Sequence, residues 1–141
     1  DMARQGITGH SMGGHGALTV ALRQSGRFRS VSAFAPIVTP SEVPWGEKAF
    51  AAYLGLDRET WHRHDAVALI RGGARVRELL VDVGTADPFL EQELKPERLE
   101  QACAEAGLPL TLNRRNGYDH SYHFISTFMA DHLAWHTQRL R

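Results

Sequence analysis

Gly9-His10-Ser11-Met12-Gly13 sets a hydroxyl between two glycines, each two residues away. A serine is a weak nucleophile until a base takes its proton, so the pattern gains meaning only from its setting. Here it lies between a short apolar run, 5–8, and a run of helical spacing, 14–23, that carries Ala17, Leu18, Val20, Ala21 and Leu22. Strand, sharp turn and helix form the setting of a nucleophile elbow, in which the serine stands exposed on strained backbone. Side chains at 9 and 13 are expected to collide with neighbouring backbone, and glycine at both positions relieves that crowding.

Such a serine needs a base within reach, and an acid that fixes the base's tautomer and stabilises its protonated form. Asp87 follows the strand-like run 78–84 and His120 follows 110–113, so both leave the carboxyl edge of a parallel sheet, where the elbow also opens. Asp87 leads on position. Asp82, inside its strand, and Asp119, beside His120, are the alternatives for the acid. The Met12 backbone N–H is placed to meet a developing oxyanion, with a second N–H from a loop after an earlier strand.

Other histidines suggest other chemistry. His62-x-His64 with Asp65, and His120 with His123, have the residue types of metal ligands, but neither set reaches the three or four ligands of a zinc site. No metal or other cofactor is expected. His10 and His15 are expected to point away from Ser11, toward packing or pocket lining. His132 and His136, four residues apart, read as a solvated helix face.

The elements that must position these residues alternate along the chain. The strand 31–35, stopped by Pro36, should pair with the elbow strand. Asp65 is suited to cap a helix over 66–71 that ends at Gly72-Gly73. A helix over 96–106 carries the stripe Leu99, Ala102, Cys103 and Ala106 and closes at Gly107; another, over 122–139, should pack Phe124, Phe128, Leu133 and Trp135 on the sheet. From 39 to 55, Pro40, Pro44 and Gly46 among Trp45, Phe50 and Tyr53 read as an ordered, aromatic-rich loop. The alternation predicts one α/β domain, a mostly parallel sheet flanked by helices.

Composition narrows the functions. Sixteen basic residues balance sixteen acidic ones, which gives no broad field for nucleic acid or an anionic membrane. No apolar run nears the roughly 18 residues of a membrane span. The lone Cys103 allows no disulfide within the chain, fits a reducing, cytoplasmic setting and reads as packing.

Three stretches together closely resemble the S-formylglutathione hydrolases, an α/β-hydrolase family of the esterase D group. They are Gly9-His10-Ser11-Met12-Gly13-Gly14-His15-Gly16-Ala17-Leu18, Pro44-Trp45-Gly46-Glu47-Lys48-Ala49-Phe50, and Gly117-Tyr118-Asp119-His120-Ser121-Tyr122 with Phe124-Ile125. The resemblance implies hydrolysis of S-formylglutathione to formate and glutathione, a step of formaldehyde detoxification, through a formyl-serine. It implies Ser11 as nucleophile, Asp87 as orienting acid, His120 as general base, and Trp45 and Lys48 near the substrate cleft. Pro88 departs from the family, which has a polar residue there before Phe-Leu.

The chain opens a few residues ahead of its elbow strand, so 1–141 is expected to be a C-terminal portion of an α/β-hydrolase domain, without its earlier strands and second oxyanion loop. Loss of one oxyanion donor typically costs about 10²–10³ in kcat. A sheet edge left open invites a homo-oligomer or a complementary chain. A generic carboxylesterase or acyltransferase of the same group, and an inactive fragment or assembly domain, are the competing readings.

Overall fold

The computed structural model describes residues 1 and 3–141. Four parallel strands lie side by side in chain order: β1 (Gly6–Ile7), β2 (Ser30–Phe34), β3 (Leu79–Gly84) and β4 (Leu110–Arg115). Helix α1 (Met12–Arg23) connects β1 to β2, and α5 (Pro96–Ala106) connects β3 to β4. Between β2 and β3 come a 3₁₀ turn (Pro40–Glu42), α2 (Pro44–Leu54), α3 (Arg58–His62) and α4 (Ala66–Arg71). A π-helical turn (Leu90–Leu94) precedes α5, and α6 (Tyr122–Leu140) follows β4. This is the expected α/β architecture.

Every residue of β2 and β3 is buried, as in a sheet covered on both faces. Alternation sorts their side chains. Val31, Ala33, Leu79, Val81 and Val83 join Leu18 of α1, Ile70 of α4 and Leu99 of α5 in one core. Each fully buried Leu or Ile there is worth roughly 1.5–3 kcal/mol. Cys103 belongs to the same core, where burial pushes its thiol up to about 11 and keeps it protonated and inert. On the opposite face Ser30, Ser32 and Phe34 meet α6.

Local chemistry accounts for the helix ends. Asp65 Oδ1 accepts from the Ala68 N–H at 2.9 Å, which caps α4, and Gly107 closes α5 at φ 67°. The segment 39–55 corrects the sequence reading. Pro44 opens an eleven-residue helix there, at the position where a proline's missing N–H costs nothing. Gly46 permits that helix to seat, because a Cβ would lie 2.0 Å from the Pro40 carbonyl oxygen.

Helix α6 carries a second correction. Leu133 is exposed, whereas His132 and His136, expected in solvent, are buried at 1% and 8% exposure. Phe124, His132 and His136 form its buried stripe. His132 stacks on Phe34 with centroids 3.8 Å apart, and its Nδ1 is 2.9 Å from Ser32 Oγ. His136 Nδ1 is 2.6 Å from Ser30 Oγ and its Nε2 is 2.8 Å from Ser32 Oγ. The two imidazoles thus use the hydroxyls that a buried strand would otherwise leave unmatched.

Candidate active site

Ser11 sits at φ 57° and ψ −114°, a strained backbone for a residue with a side chain. Two hydrogen bonds hold the turn to β2: Ser11 N–H donates to the Phe34 carbonyl at 2.9 Å, and Phe34 N–H donates to the Gly9 carbonyl at 2.9 Å. Space is the other requirement. A Cβ on Gly9 would stand 2.1 Å from the Gly13 carbonyl oxygen, so Gly9 meets the expected crowding. Gly13 does not, since a Cβ there meets nothing within 4 Å; the crowded helix-side glycine is Gly14, pressed against Pro36.

The strand exits deliver the other two groups. Gly84, at the end of β3, allows the Tyr118 carbonyl oxygen to approach to where a Cβ would be only 2.1 Å away. The Ala86 N–H donates to that same carbonyl at 2.9 Å, and Gly117 N–H donates to Thr85 Oγ1 at 2.8 Å. The loops carrying Asp87 and His120 are thereby tied together.

His120 Nδ1 lies 2.6 Å from Asp87 Oδ2, and His120 Nε2 lies 2.9 Å from Ser11 Oγ. An ionised carboxylate only accepts, so Nδ1 carries the proton and Nε2 faces the Ser11 hydroxyl as acceptor. The Asp87 carboxylate is fully buried, and its Oδ1 accepts from the Phe89 N–H at 2.8 Å across Pro88. Pro88 contributes no N–H of its own and leaves that bond undisturbed.

Rings hold the imidazole from two sides. Phe89 meets it edge-on at 5.0 Å, and His10 lies against it at 4.5 Å. His10 therefore packs, but on His120. Burial foremost, with repulsion from His120, lowers the His10 pKa. His15 packs near Phe50 instead, with centroids 6.2 Å apart.

Both alternative acids are engaged elsewhere. Asp82 accepts from Arg115 Nε at 2.6 Å and Asn113 Nδ2 at 3.0 Å, and lies 3.1 Å from His132 Nε2. Burial alone would raise its pKa, but these partners outweigh burial and hold it below the usual carboxylate range. Asp119 is exposed and accepts from the Ser121 N–H. His123 stacks on Tyr118, His64 lies beside Arg23, and Asp65 is spent on its cap. Among the described residues no group of three or more His, Cys, Asp or Glu could hold a metal ion, and no helix is long and apolar enough to cross a membrane.

Gly13 N–H donates to the His10 carbonyl and His15 N–H to the Ser11 carbonyl, whereas the Met12 N–H has no acceptor among the described residues. It stands free beside Ser11. A cavity of about 340 Å³ opens there, lined by Ser11, Met12, Trp45, Phe89, Glu93 and His120, with Ile37 and Leu94 behind. Trp45 is part of that lining. Lys48 does not: it lies on the next turn of α2, exposed, and is not part of that lining. The sequence reading missed Phe89 and Glu93. Phe89 had a signal in its place beside Asp87, whereas nothing in Glu91-Gln92-Glu93 separates Glu93 from its neighbours.

The family model "Putative esterase" matches residues 1–136. The chain belongs to this esterase family. An S-formylglutathione hydrolase of Paracoccus denitrificans is 56% identical over 140 residues, 99% of this chain and 50% of that protein. A solved S-formylglutathione hydrolase from Agrobacterium tumefaciens is also 56% identical, with a TM-score of 0.98 over 100% of this chain and 51% of its own. This esterase-family chain thus spans about half the length of the relatives it matches. A third protein, the S-formylglutathione hydrolase FrmB from Staphylococcus aureus, matches at a TM-score of 0.75 and 20% identity over 96% of this chain and 56% of its own, a likeness of fold.

Proposed function

We propose that this chain carries the nucleophile, base and acid of a serine thioesterase that hydrolyses S-formylglutathione to formate and glutathione. The unbroken Asp87–His120–Ser11 hydrogen-bond chain carries the reading. Identity of 56% to proteins of that name supports the substrate.

In this reading His120 Nε2 takes the Ser11 proton as Oγ attacks the thioester carbonyl. The carbonyl oxygen becomes an oxyanion, and the free Met12 N–H is the donor that meets it. Collapse breaks the C–S bond and leaves a formyl ester on Ser11. The departing sulfur, whose thiol pKa is about 8.5, takes the proton held on His120 Nε2 and leaves as the thiol, which returns His120 to its neutral form. Water then attacks the ester, His120 accepts its proton, and formate leaves as Ser11 recovers its own. Asp87 holds the tautomer and stabilises the imidazolium in both halves.

The reading treats residues 1–141 as part of an α/β-hydrolase domain and places the second oxyanion donor outside them. It also places the protein in the cytoplasm, with a small-molecule thioester as its partner. The apolar walls formed by Ile37, Trp45, Phe89 and Leu94 favour one second reading, a carboxylesterase acting on apolar esters. Comparing kcat/KM for S-formylglutathione and p-nitrophenyl acetate on the full-length protein decides between them. The thioesterase reading expects the thioester to be preferred, and preference for the ester would overturn it.

A further inference from the structure

Glu93 is the one carboxylate lining the cleft that holds Ser11 and His120. Both its oxygens lean on a single donor, the Trp45 N–H, at 3.1 and 3.3 Å. A carboxylate offers about four acceptor sites, so most of its capacity is unused. It also stands apart from the other glutamates. Glu42, Glu47, Glu78, Glu100 and Glu105 each pair with an arginine, and Glu59, Glu91 and Glu97 are exposed to water. Glu93 alone among the described glutamates is half-buried without a cation.

The side chains of its neighbours Ile37, Phe89 and Leu94 have no donor, and its recorded hydrogen bonds come from the Trp45 backbone N–H alone. A substrate that fills the cleft strips water from this carboxylate, which costs affinity unless the substrate brings a compensating charge. The γ-glutamyl end of a glutathione thioester carries such a charge, an α-ammonium, and glutathione has no other cation. Its carboxylates are repelled by Glu93 and must turn outward.

We propose that Glu93 is a specificity-determining residue that receives the α-ammonium of the γ-glutamyl arm and so fixes which end of the substrate enters the cleft. This rests on the thioesterase reading. The Trp45 N–H holds the carboxylate in place, and the ammonium takes its remaining acceptor sites.

The test is a cycle on the full-length protein: wild type and Glu93→Gln, each with S-formylglutathione and with the formyl thioester of glutathione lacking the α-amino group. Glutamine keeps one oxygen for the Trp45 N–H, and it removes the charge and turns the second oxygen into an NH2 donor. In the wild type, removing the ammonium is expected to raise KM about tenfold, within the range of a hydrogen bond to a charged group. In Glu93→Gln that penalty disappears, because the two changes remove the same interaction. An equal penalty in both proteins overturns the role of Glu93 while leaving the thioesterase reading intact. A wild type that turns over neither thioester overturns both.

Discussion

Ser11 holds a backbone conformation that costs on the order of 1–3 kcal/mol, and its Oγ is 2.9 Å from His120 Nε2. If that contact is the proton path, Ser11→Ala and His120→Ala each lower kcat by about 10⁶, and together they cost little more than either alone. Asp87→Asn presents an amide N–H where Nδ1 needs an acceptor, favours the wrong tautomer and lowers kcat by about 10⁴. Steady-state kinetics measures all three, and near wild-type turnover by Asp87→Asn would move the acid elsewhere. His136 supports a prediction about stability. Burial, followed by repulsion from His132 and Arg139, lowers its pKa to about 4. A histidine held neutral in the fold contributes fully above its unfolded value of roughly 6.5, and loses that contribution as pH falls toward 4. The loss amounts to about 3 kcal/mol. Thermal melts should show Tm falling over that window in the wild type and falling less in His136→Gln; parallel curves would refute the assignment.

Among the elements, the exit of β3 and the exit of β4 depend on each other through Gly84. Gly84→Ala drives a methyl into the Tyr118 carbonyl and displaces the loop that carries His120. It should cost about 10²-fold in kcat, since misplacement of about 1 Å has that effect, together with a lower Tm. Unaltered kinetics and Tm would show that the loops are positioned otherwise. The strands and helices around this junction were legible because each carried its own signal: Asp65 before α4, Pro96 and Gly107 bounding α5, the short apolar run Leu79-Leu80-Val81 in β3. Helix α2 was hidden because proline and glycine, read as breakers, serve it as a first residue and as a close contact. The buried face of α6 was hidden because histidines four residues apart look solvated until their partners on β2 are known. Ser30 and Ser32 in a strand destined for burial were the overlooked sign that polar groups had to meet them.

The molecule as a whole keeps its polar network on one face of the sheet and its larger apolar core on the other. Asp82, His132, Ser32, His136 and Ser30 form a line of polar contacts beneath α6, joined at one end by Arg115. None of these groups touches Ser11, so this network anchors α6 to the sheet, while Asp87 and His120 converge on Ser11 from the strand exits. The expectation of a nucleophile with base and acid in the order Ser, Asp, His could be drawn from sequence, whereas Glu93 and Phe89 needed the fold to bring them to the cleft. Under the proposed function, Ser11 is acylated by a formyl thioester during turnover. Rapid-quench mass spectrometry of the full-length protein mixed with S-formylglutathione tests it directly. A transient formyl ester is expected on the peptide that contains Ser11, absent in Ser11→Ala. Hydrolysis with no adduct on that peptide, or undiminished hydrolysis by Ser11→Ala, would contradict it.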